Sequence, residues 1–447
     1  MLAEKEVAEF LAAYPDTEVV ELLIADFNGI FRGKQVPVSS LEKIAKGEIY
    51  FPITTSFLTT NGANAELILD EYGSDPDRRC QMVTGTLQPV PWALRPTAQV
   101  VLETLDKDGG AFFANPRTVV KRVLECLSDI ELTPVVAFEY EFFLFEMNTV
   151  PPQPLAPPNG MPRAKDANCY NLDVAKDFEP LLMEIEAAAK AQGINVTSFV
   201  CEYGSGQFEV NLNHSADALH ACDEAMMLKR VVRGVAHRHG LLASFMAKPL
   251  YDEVGNGLHA HVSMLNRDGE NIFAQDGGEE RLRNALGGLL ATMPAATPFF
   301  APNANSYRRF DAEWFAPVVR NWGENNRRLS LRLPMSDTKN RRFEHRVSGA
   351  DASPHLVLAA ILAGAHKGLV EKLDPGPPLG EFDLVDFKDV LPSRWKASLD
   401  TLSADSVFTD YFGGRFIELY LQVKASEEEE FHNAVSTADY DQYLRIL

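Results

Sequence analysis

Residues 134–146 read PVVAFEYEFFLFE. β-Branched and aromatic residues fill the segment and no glycine interrupts it, so it is predicted to be a strand. Side chains alternate on a strand, which puts Glu139 and Glu141 on one face and Phe138 and Phe142 on the other. Other segments repeat the arrangement. His259, His261 and Ser263 share a face in 257–265 (GLHAHVSML), and Arg342, Glu344 and Arg346 share one in 342–347 (RFEHRV). Glu209 lies in 206–212 (GQFEVNL), where the Tyr203-Gly204-Ser205-Gly206 turn can bring it to Glu202, and Arg332 lies in 328–333 (RLSLRL). One strand with alternating charge is ordinarily a solvent-facing strand. Five that array carboxylates, imidazoles and guanidiniums together differ, because like charges side by side on a sheet repel unless a ligand neutralises them. Carboxylate with imidazole, and no cysteine, suits Mg²⁺ or Mn²⁺ rather than structural zinc. Arg309, Arg327, Arg328, Arg332, Arg342 and Arg346, with Lys339, supply forks that match carboxylates and phosphates. Metals beside clustered arginines are what phosphoryl transfer needs.

Outward from these strands the chain divides. Residues 16–38 predict two strands joined through Asn28-Gly29, a hairpin signal, and 96–105 (PTAQVVLETL) predicts another, followed by the polar turn 107–110. The domain boundary is placed there: 1–107 as a small α+β unit, 108–447 as the larger one. Helices are expected at 116–129, 177–192, 216–239 and 354–372, the third starting after Ser215 and the fourth capped by Ser353 with Pro354 at its first position. Residues 149–164 are too proline-rich for a core element and are expected to form a surface loop. A second breaker cluster, 374–380 (DPGPPLG), follows the last long helix. The glutamate run 427–430 is expected to be a solvated helix face.

The bulk properties narrow the class. With 447 residues, 46% hydrophobic and 23% charged, the chain is an ordinary globular protein of more than one small core. A net charge of −21 repels nucleic acid and anionic lipid, so neither is an expected partner. Five cysteines at Cys80, Cys126, Cys169, Cys201 and Cys222 match no zinc or redox spacing. They are expected to be reduced thiols of a cytoplasmic protein. The N-terminal MLAEKEVAEFLAAYP reads as an amphipathic helix rather than a signal peptide, and no apolar run approaches the ~20 residues of a membrane span.

Six segments, in order, resemble the glutamine synthetase family over nearly the whole chain: FEYEFFLF (138–145), CEYGSGQFEV (201–210), VAHRHGLLASFMAKPLYDEVGNGLHAHVS (235–263), NSYRRF (305–310), NRRLSLRLP (326–334) and RRFEHRVSGADASPHLVLAAILAG (341–364). The resemblance implies an α+β fold: an N-terminal β-grasp domain and a C-terminal catalytic domain with a curved, half-barrel antiparallel sheet backed by helices. It implies a homo-oligomer, a hexameric ring or stacked rings, with active sites shared between one subunit's catalytic domain and its neighbour's β-grasp domain. It implies ATP as co-substrate and Mg²⁺ or Mn²⁺ as cofactor. Glu141, Glu202 and Glu209 would hold one metal, and Glu139, His259 and Glu344 the second. His261, Ser263, Lys339 and Arg342 would contact ATP. Arg327 and Arg332, with Arg342, would face the transferring phosphate. Gly255, Arg309 and Arg346 would bind glutamate. Arg328 is read either as part of this arginine set or as a rim residue.

Three departures bear on the second substrate. The family's N-terminal Asp-Gly-Ser-Ser segment, whose aspartate helps bind ammonium, corresponds to YFPITTSF (50–57), which has no carboxylate. The flap glutamate after NSYRRF corresponds to Phe315 in AEWFAP (312–317), beside Trp314, and an asparagine of the ATP-region signature is replaced by Val254. Ammonium is small and strongly hydrated and needs acceptors at close range, whereas aromatic walls suit a carbon substituent. The departures resemble the family's glutamate–amine ligases, including the γ-glutamylpolyamine type. The expected reaction joins glutamate to an amine other than ammonia, with Thr54, Trp314 and Phe315 in the amine pocket. A hydrophobic or aromatic monoamine is favoured and a polyamine is next, since the nearby acids in view are Glu313, Asp75 and Asp77. The alternatives are a true glutamine synthetase using ammonia, with Glu313 shifted into the place of Phe315, or an inactive structural homologue. A phosphagen-kinase-like phosphotransferase has no place for the N-terminal unit. The family's modifiable Asn-Leu-Tyr segment also lacks a counterpart, the chain reading EFDLVDFKDVLP at 381–392.

Overall fold

A computed structural model describes residues 2–65, 74–153, 155, 168–383 and 387–447. Most of the proline-rich segment 149–164 and residues 384–386 of the segment after the breaker cluster lie outside the described residues. The first part of the chain forms a six-stranded sheet from β1 (Val19–Ala25), β2 (Phe31–Pro37), β3 (Ile49–Pro52), β4 (Asp77–Met82), β5 (Gln88–Pro89) and β6 (Thr97–Thr104). Its order is β2-β1-β6-β4-β3, with β5 also on β6. The expected hairpin is present: β1 and β2 pair antiparallel from Val19↔Pro37 to Ala25↔Phe31. Gly29 takes the left-handed conformation in the loop (φ 64°), and Asp26 accepts from the amides of Asn28 and Ile30, so a side chain closes the turn. Helices Leu2–Ala13 and Leu41–Ala45 pack their apolar residues on one face of this sheet.

The second sheet has eight strands: β7 (Thr133–Glu146), β8 (Val196–Cys201), β9 (Gln207–Leu212), β10 (Leu241–Ser244), β11 (Leu258–Leu265), β12 (Trp322–Glu324), β13 (Leu331–Leu333) and β14 (Phe343–His345). The order is β12-β13-β14-β11-β7-β9-β8, with β10 on the far end of β7. All pairs are antiparallel except β12 with β13. In β7 the even-numbered residues from Val136 to Phe142 are fully buried and the odd-numbered ones partly exposed, as the alternation requires. The buried face meets the long helices Pro116–Asp129, Ala218–Arg238, Gly278–Phe300 and Pro354–Glu371. The last of these is buried all round from Pro354 to Ala365 and lies inside the helical layer. The result is the α+β class expected, with a curled half-barrel sheet backed by helices. Among the described residues no helix is long and apolar enough to cross a membrane, and the five cysteines are all free.

Several details differ from the sequence expectation. Helix Gly278–Phe300 is additional to the four expected and carries Pro294 and Pro298 inside it, which local rules disfavour. Pro294 cannot donate to Leu290 O, and Arg320 Nη1 reaches that carbonyl instead at 3.4 Å. The helix expected at 216–239 runs from Ala218 to Arg238 and is capped by Asp217, which accepts from His220 N. Ser353 stands at its helix start but its hydroxyl is buried without a partner. Glu427 is not on a solvated face: it is 8% exposed, bonded to Lys424 and to the amide and hydroxyl of Thr60. That glutamate ties helix Gly414–Asn433 to the N-terminal part of the chain.

Candidate active site

The partly exposed face of the second sheet carries the charges. Register sets them side by side: His259 opposes Glu139 across β11–β7, Glu141 opposes Glu209 across β7–β9, His261 opposes Glu344 across β11–β14, and Arg332 opposes Glu344 across β13–β14. One ligand atom each from Glu139, His259 and Glu344 lies within 4.8 Å of the others, and the same holds for Glu141, Glu209 and His259. His259 therefore stands between two carboxylate groups, its Nδ1 3.4 Å from Glu139 and its Nε2 3.8 Å from Glu141. The family resemblance grouped Glu202 with Glu141 and Glu209. The structure puts Glu202 on the wall of the same cavity but outside that tight set.

The cavity has a volume of about 520 Å³. Besides the acids it is lined by Gly255, Arg309, Arg327, Arg328, Arg332 and Arg346, and by Trp314 and Phe315. Glu344 is 1% exposed and is held by Arg332 Nη1 at 2.7 Å and by Arg346 Nη1. Burial acts to raise its pKa, but Arg346, His261 and His259 outweigh it and bring the group down to about 2. Burial likewise opposes ionisation of Glu139, yet its bonds to His259 and His261 hold it well below the usual carboxylate range. Glu202 and Glu209 go the other way. Burial, with Glu141 for the first and Glu139 and Glu141 for the second, pushes them up to about 8 and about 9. Crowded carboxylates that resist ionising together are the donor set a divalent cation relieves. Arg309 is buried and donates to Val347 O at 2.9 Å. A side chain at Gly255 would meet Ala247 O at 2.5 Å and Arg309 Cγ at 2.8 Å, so only glycine leaves that wall open.

A second cavity, about 1000 Å³, lies on the other side of Glu139 and is lined by His261, Ser263, Lys339 and Arg342. Arg342 Nε donates to His261 Nδ1 at 3.3 Å, which leaves His261 Nε2 to donate to Glu139 at 2.9 Å. The two cavities share that one carboxylate.

Trp314 and Phe315 form the apolar wall. Phe315 has a left-handed backbone (φ 57°) at the end of the short turn Ala312–Trp314. Its ring stacks on Tyr203 (centroids 6.1 Å, 24°), and the Arg328 guanidinium lies 5.7 Å over it. Glu313 is exposed and does not line the cavity. Thr54 is not brought to this wall within one chain: it is buried near β3, where its amide and hydroxyl bond the Asp75 carboxylate at 3.2 and 2.9 Å. Other lining residues went unnamed at the sequence level: Tyr170, Gln207, Asn325, Glu381 and Asp383, while Tyr203 was named only as part of a turn. Gln207 could have been found, since it shares a strand face with Glu209. The rest sit on loops, where no periodicity points.

Comparison with known proteins agrees with this geometry. The glutamine synthetase catalytic domain matches residues 113–443. The γ-glutamylputrescine synthetase PuuA of Escherichia coli (strain K12) is 37% identical over 99% of this chain and 94% of its own length. A glutamate–isopropylamine ligase of Pseudomonas sp is 28% identical over 99% and 98%. Among solved structures, the ADP complex of GmaS superposes with a TM-score of 0.82 at 25% identity, covering 98% of this chain and 99% of that one. The match spans both sheets and every charged strand of the cavity, and the chain therefore belongs to the glutamine synthetase family, as a ligase of its glutamate–amine branch.

Proposed function

We propose that the chain makes a γ-glutamyl amide from glutamate and an amine other than ammonia, at the expense of ATP. The glutamate γ-carboxylate oxygen attacks the γ-phosphorus, the bond to ADP breaks, and γ-glutamyl phosphate forms. The amine nitrogen then attacks the acyl carbon, phosphate leaves, and one proton is lost to solvent. Arg309 and Arg346, beside Gly255, would orient glutamate. His261, Ser263, Lys339 and Arg342 would hold ATP in the neighbouring cavity, so that the γ-phosphate reaches the acids and arginines at Glu139. Arg327 and Arg332 would stabilise the charge spread over the transferring phosphate. Glu139, His259 and Glu344 would hold one Mg²⁺ or Mn²⁺, and Glu141, Glu209 and Glu202 another. Bound there, the cations would neutralise phosphate charge.

The observation that carries the choice of amine is the wall itself. Trp314 and Phe315 face the acid and arginine cluster where a carboxylate would be needed for ammonium. Thr54 lies away from that wall within one chain, which fits a homo-oligomer in which a neighbour's 50–57 segment completes the pocket. The division at residue 107 falls in the turn closed by Asp106 N and Gly110 O, which fits two domains joined there. Free thiols and an acidic surface fit the cytoplasm. ADP release with glutamate and a panel of ammonia, ethylamine, benzylamine and putrescine tests the proposal. The expected result is turnover with carbon-substituted amines above that with ammonia. A wide margin for ammonia would make this an ordinary glutamine synthetase, and no turnover with any amine would leave the inactive homologue.

A further inference from the structure

The cavity has a second acidic feature at its mouth, supplied by a loop rather than by the sheet. Glu381, Phe382 and Asp383 line it together with Trp314 and Phe315. The loop is fixed to the edge strand: Leu379 N donates to Trp322 O at 2.9 Å, Trp322 Nε1 to Gly376 O at 3.3 Å, and Asn326 Nδ2 to Gly380 O at 3.2 Å. Each acid is also positioned singly. Asn325 Nδ2 donates to Glu381 at 2.9 Å, and Gly380 N donates to Asp383 at 2.7 Å. Asn325 accepts in turn from Arg332 at 3.1 Å, so the same asparagine fixes an arginine of the acid cluster and an acid of the rim.

These carboxylates have an unspent charge. Among the described residues neither forms an ion pair with a lysine or arginine. The exposed Arg327 and Arg328 line the same cavity, yet Arg328 lies over the Phe315 ring instead. Of the acids deeper in the cavity, Glu139 and Glu344 are held by histidines and arginines, while Glu202 and Glu209 crowd against other carboxylates at the sites proposed for the metals. Two unpaired carboxylates beyond an aromatic wall match a ligand with an apolar middle and a cationic far end.

We propose that Glu381 and Asp383 are specificity residues for the amine, and that they bind a second ammonium at its distal end. The substrate is then a flexible α,ω-diamine, whose methylenes lie along Trp314 and Phe315 while its near nitrogen attacks the acyl carbon. The inference rests on the reading of the chain as a glutamate–amine ligase.

Putrescine and n-butylamine differ in the distal ammonium alone, so the ratio of their kcat/KM values isolates it. The intact enzyme should favour putrescine by about tenfold or more, and by less at high salt. E381Q combined with D383N should bring that ratio close to unity. A ratio does not depend on how much of a variant folds. E381K should raise the ratio for γ-aminobutyrate against putrescine by about tenfold, because a distal carboxylate then finds a cation. Equal use of putrescine and butylamine by the intact enzyme would overturn the inference and leave the ligase reading standing. So would a putrescine preference that survives both sets of substitutions. Turnover with ammonia and neither amine would overturn both.

Discussion

Replacing Phe315 by glutamate puts the family's flap carboxylate back where this chain has an aromatic ring. The ring offers its face to carbon, and each methylene it covers contributes about 0.8 kcal/mol. An alkyl amine with two methylenes on the ring would lose about 1.6 kcal/mol, roughly fifteenfold in kcat/KM. Ammonia has no carbon to lose and gains an acceptor. The gain is blunted by Arg328, whose guanidinium lies 5.7 Å from the Phe315 ring centroid and would turn to the new carboxylate. A partly exposed pair of that kind is worth up to about 1 kcal/mol, or about fivefold. F315E should therefore lower the butylamine-to-ammonia ratio of kcat/KM by about fifteenfold, and F315E with R328Q by about fivefold more. The backbone there is left-handed, and phenylalanine and glutamate are strained alike at that φ, so the substitution adds no new backbone cost. A coupled ADP-release assay on both amines with one preparation gives the ratio directly. A ratio that stays within about twofold of wild type would refute the assignment of Phe315 to the amine pocket, as would a wild-type enzyme that already prefers ammonia.

Three further outcomes follow from the same geometry. Glu344→Gln leaves Arg332 and Arg346 without their shared carboxylate in a site that is 1% exposed, so it should cost about 3–5 kcal/mol of stability and abolish the Mn²⁺-induced rise in Tm; an undiminished rise would remove Glu344 from the metal set. Glu202 and Glu209 are raised from 4.5 to about 8 and about 9, so the metal-free folded state binds protons the unfolded chain releases. Stability of metal-free protein should then fall as pH rises from about 5 to about 9, and Mn²⁺ should reverse the fall; the lowered Glu139 and Glu344 are ionised in both states over that window and do not move it. Denaturant melts that are flat with pH would contradict the crowding of these acids. A side chain at Gly323 would meet Leu379 O at 1.9 Å, so Gly323→Ala should displace the loop carrying Glu381 and lower the putrescine-to-butylamine ratio more than it changes KM for ATP; an unaltered ratio would detach that loop from amine choice.

The sequence alone determined the charged strands, because alternation is a local property and survives any tertiary arrangement. Glu139 and Glu141 share a face whatever lies beside them, and the same is true of His259 with His261 and of Glu344 with Arg346. The helix at 116–129 was placed with the limits the structure shows, Pro116–Asp129, since helix formation is also local. Register was not legible, and register decides that His259 stands between two carboxylate groups. Helix Gly278–Phe300 was not placed; its two prolines argue locally against it, while Arg320, supplied by a later segment, satisfies the carbonyl that Pro294 leaves open. Glu427 looked like part of a solvated run until the fold placed Thr60 and Lys424 against it. The amine pocket shows the division most clearly. The resemblance set Phe315 where the family carries a glutamate and, with few acids nearby along the chain, favoured a hydrophobic monoamine. Glu381 and Asp383 reach the same cavity only because their loop is hydrogen-bonded to Trp322 and Asn326, and a contact between segments far apart in the chain has no periodicity from which to read it.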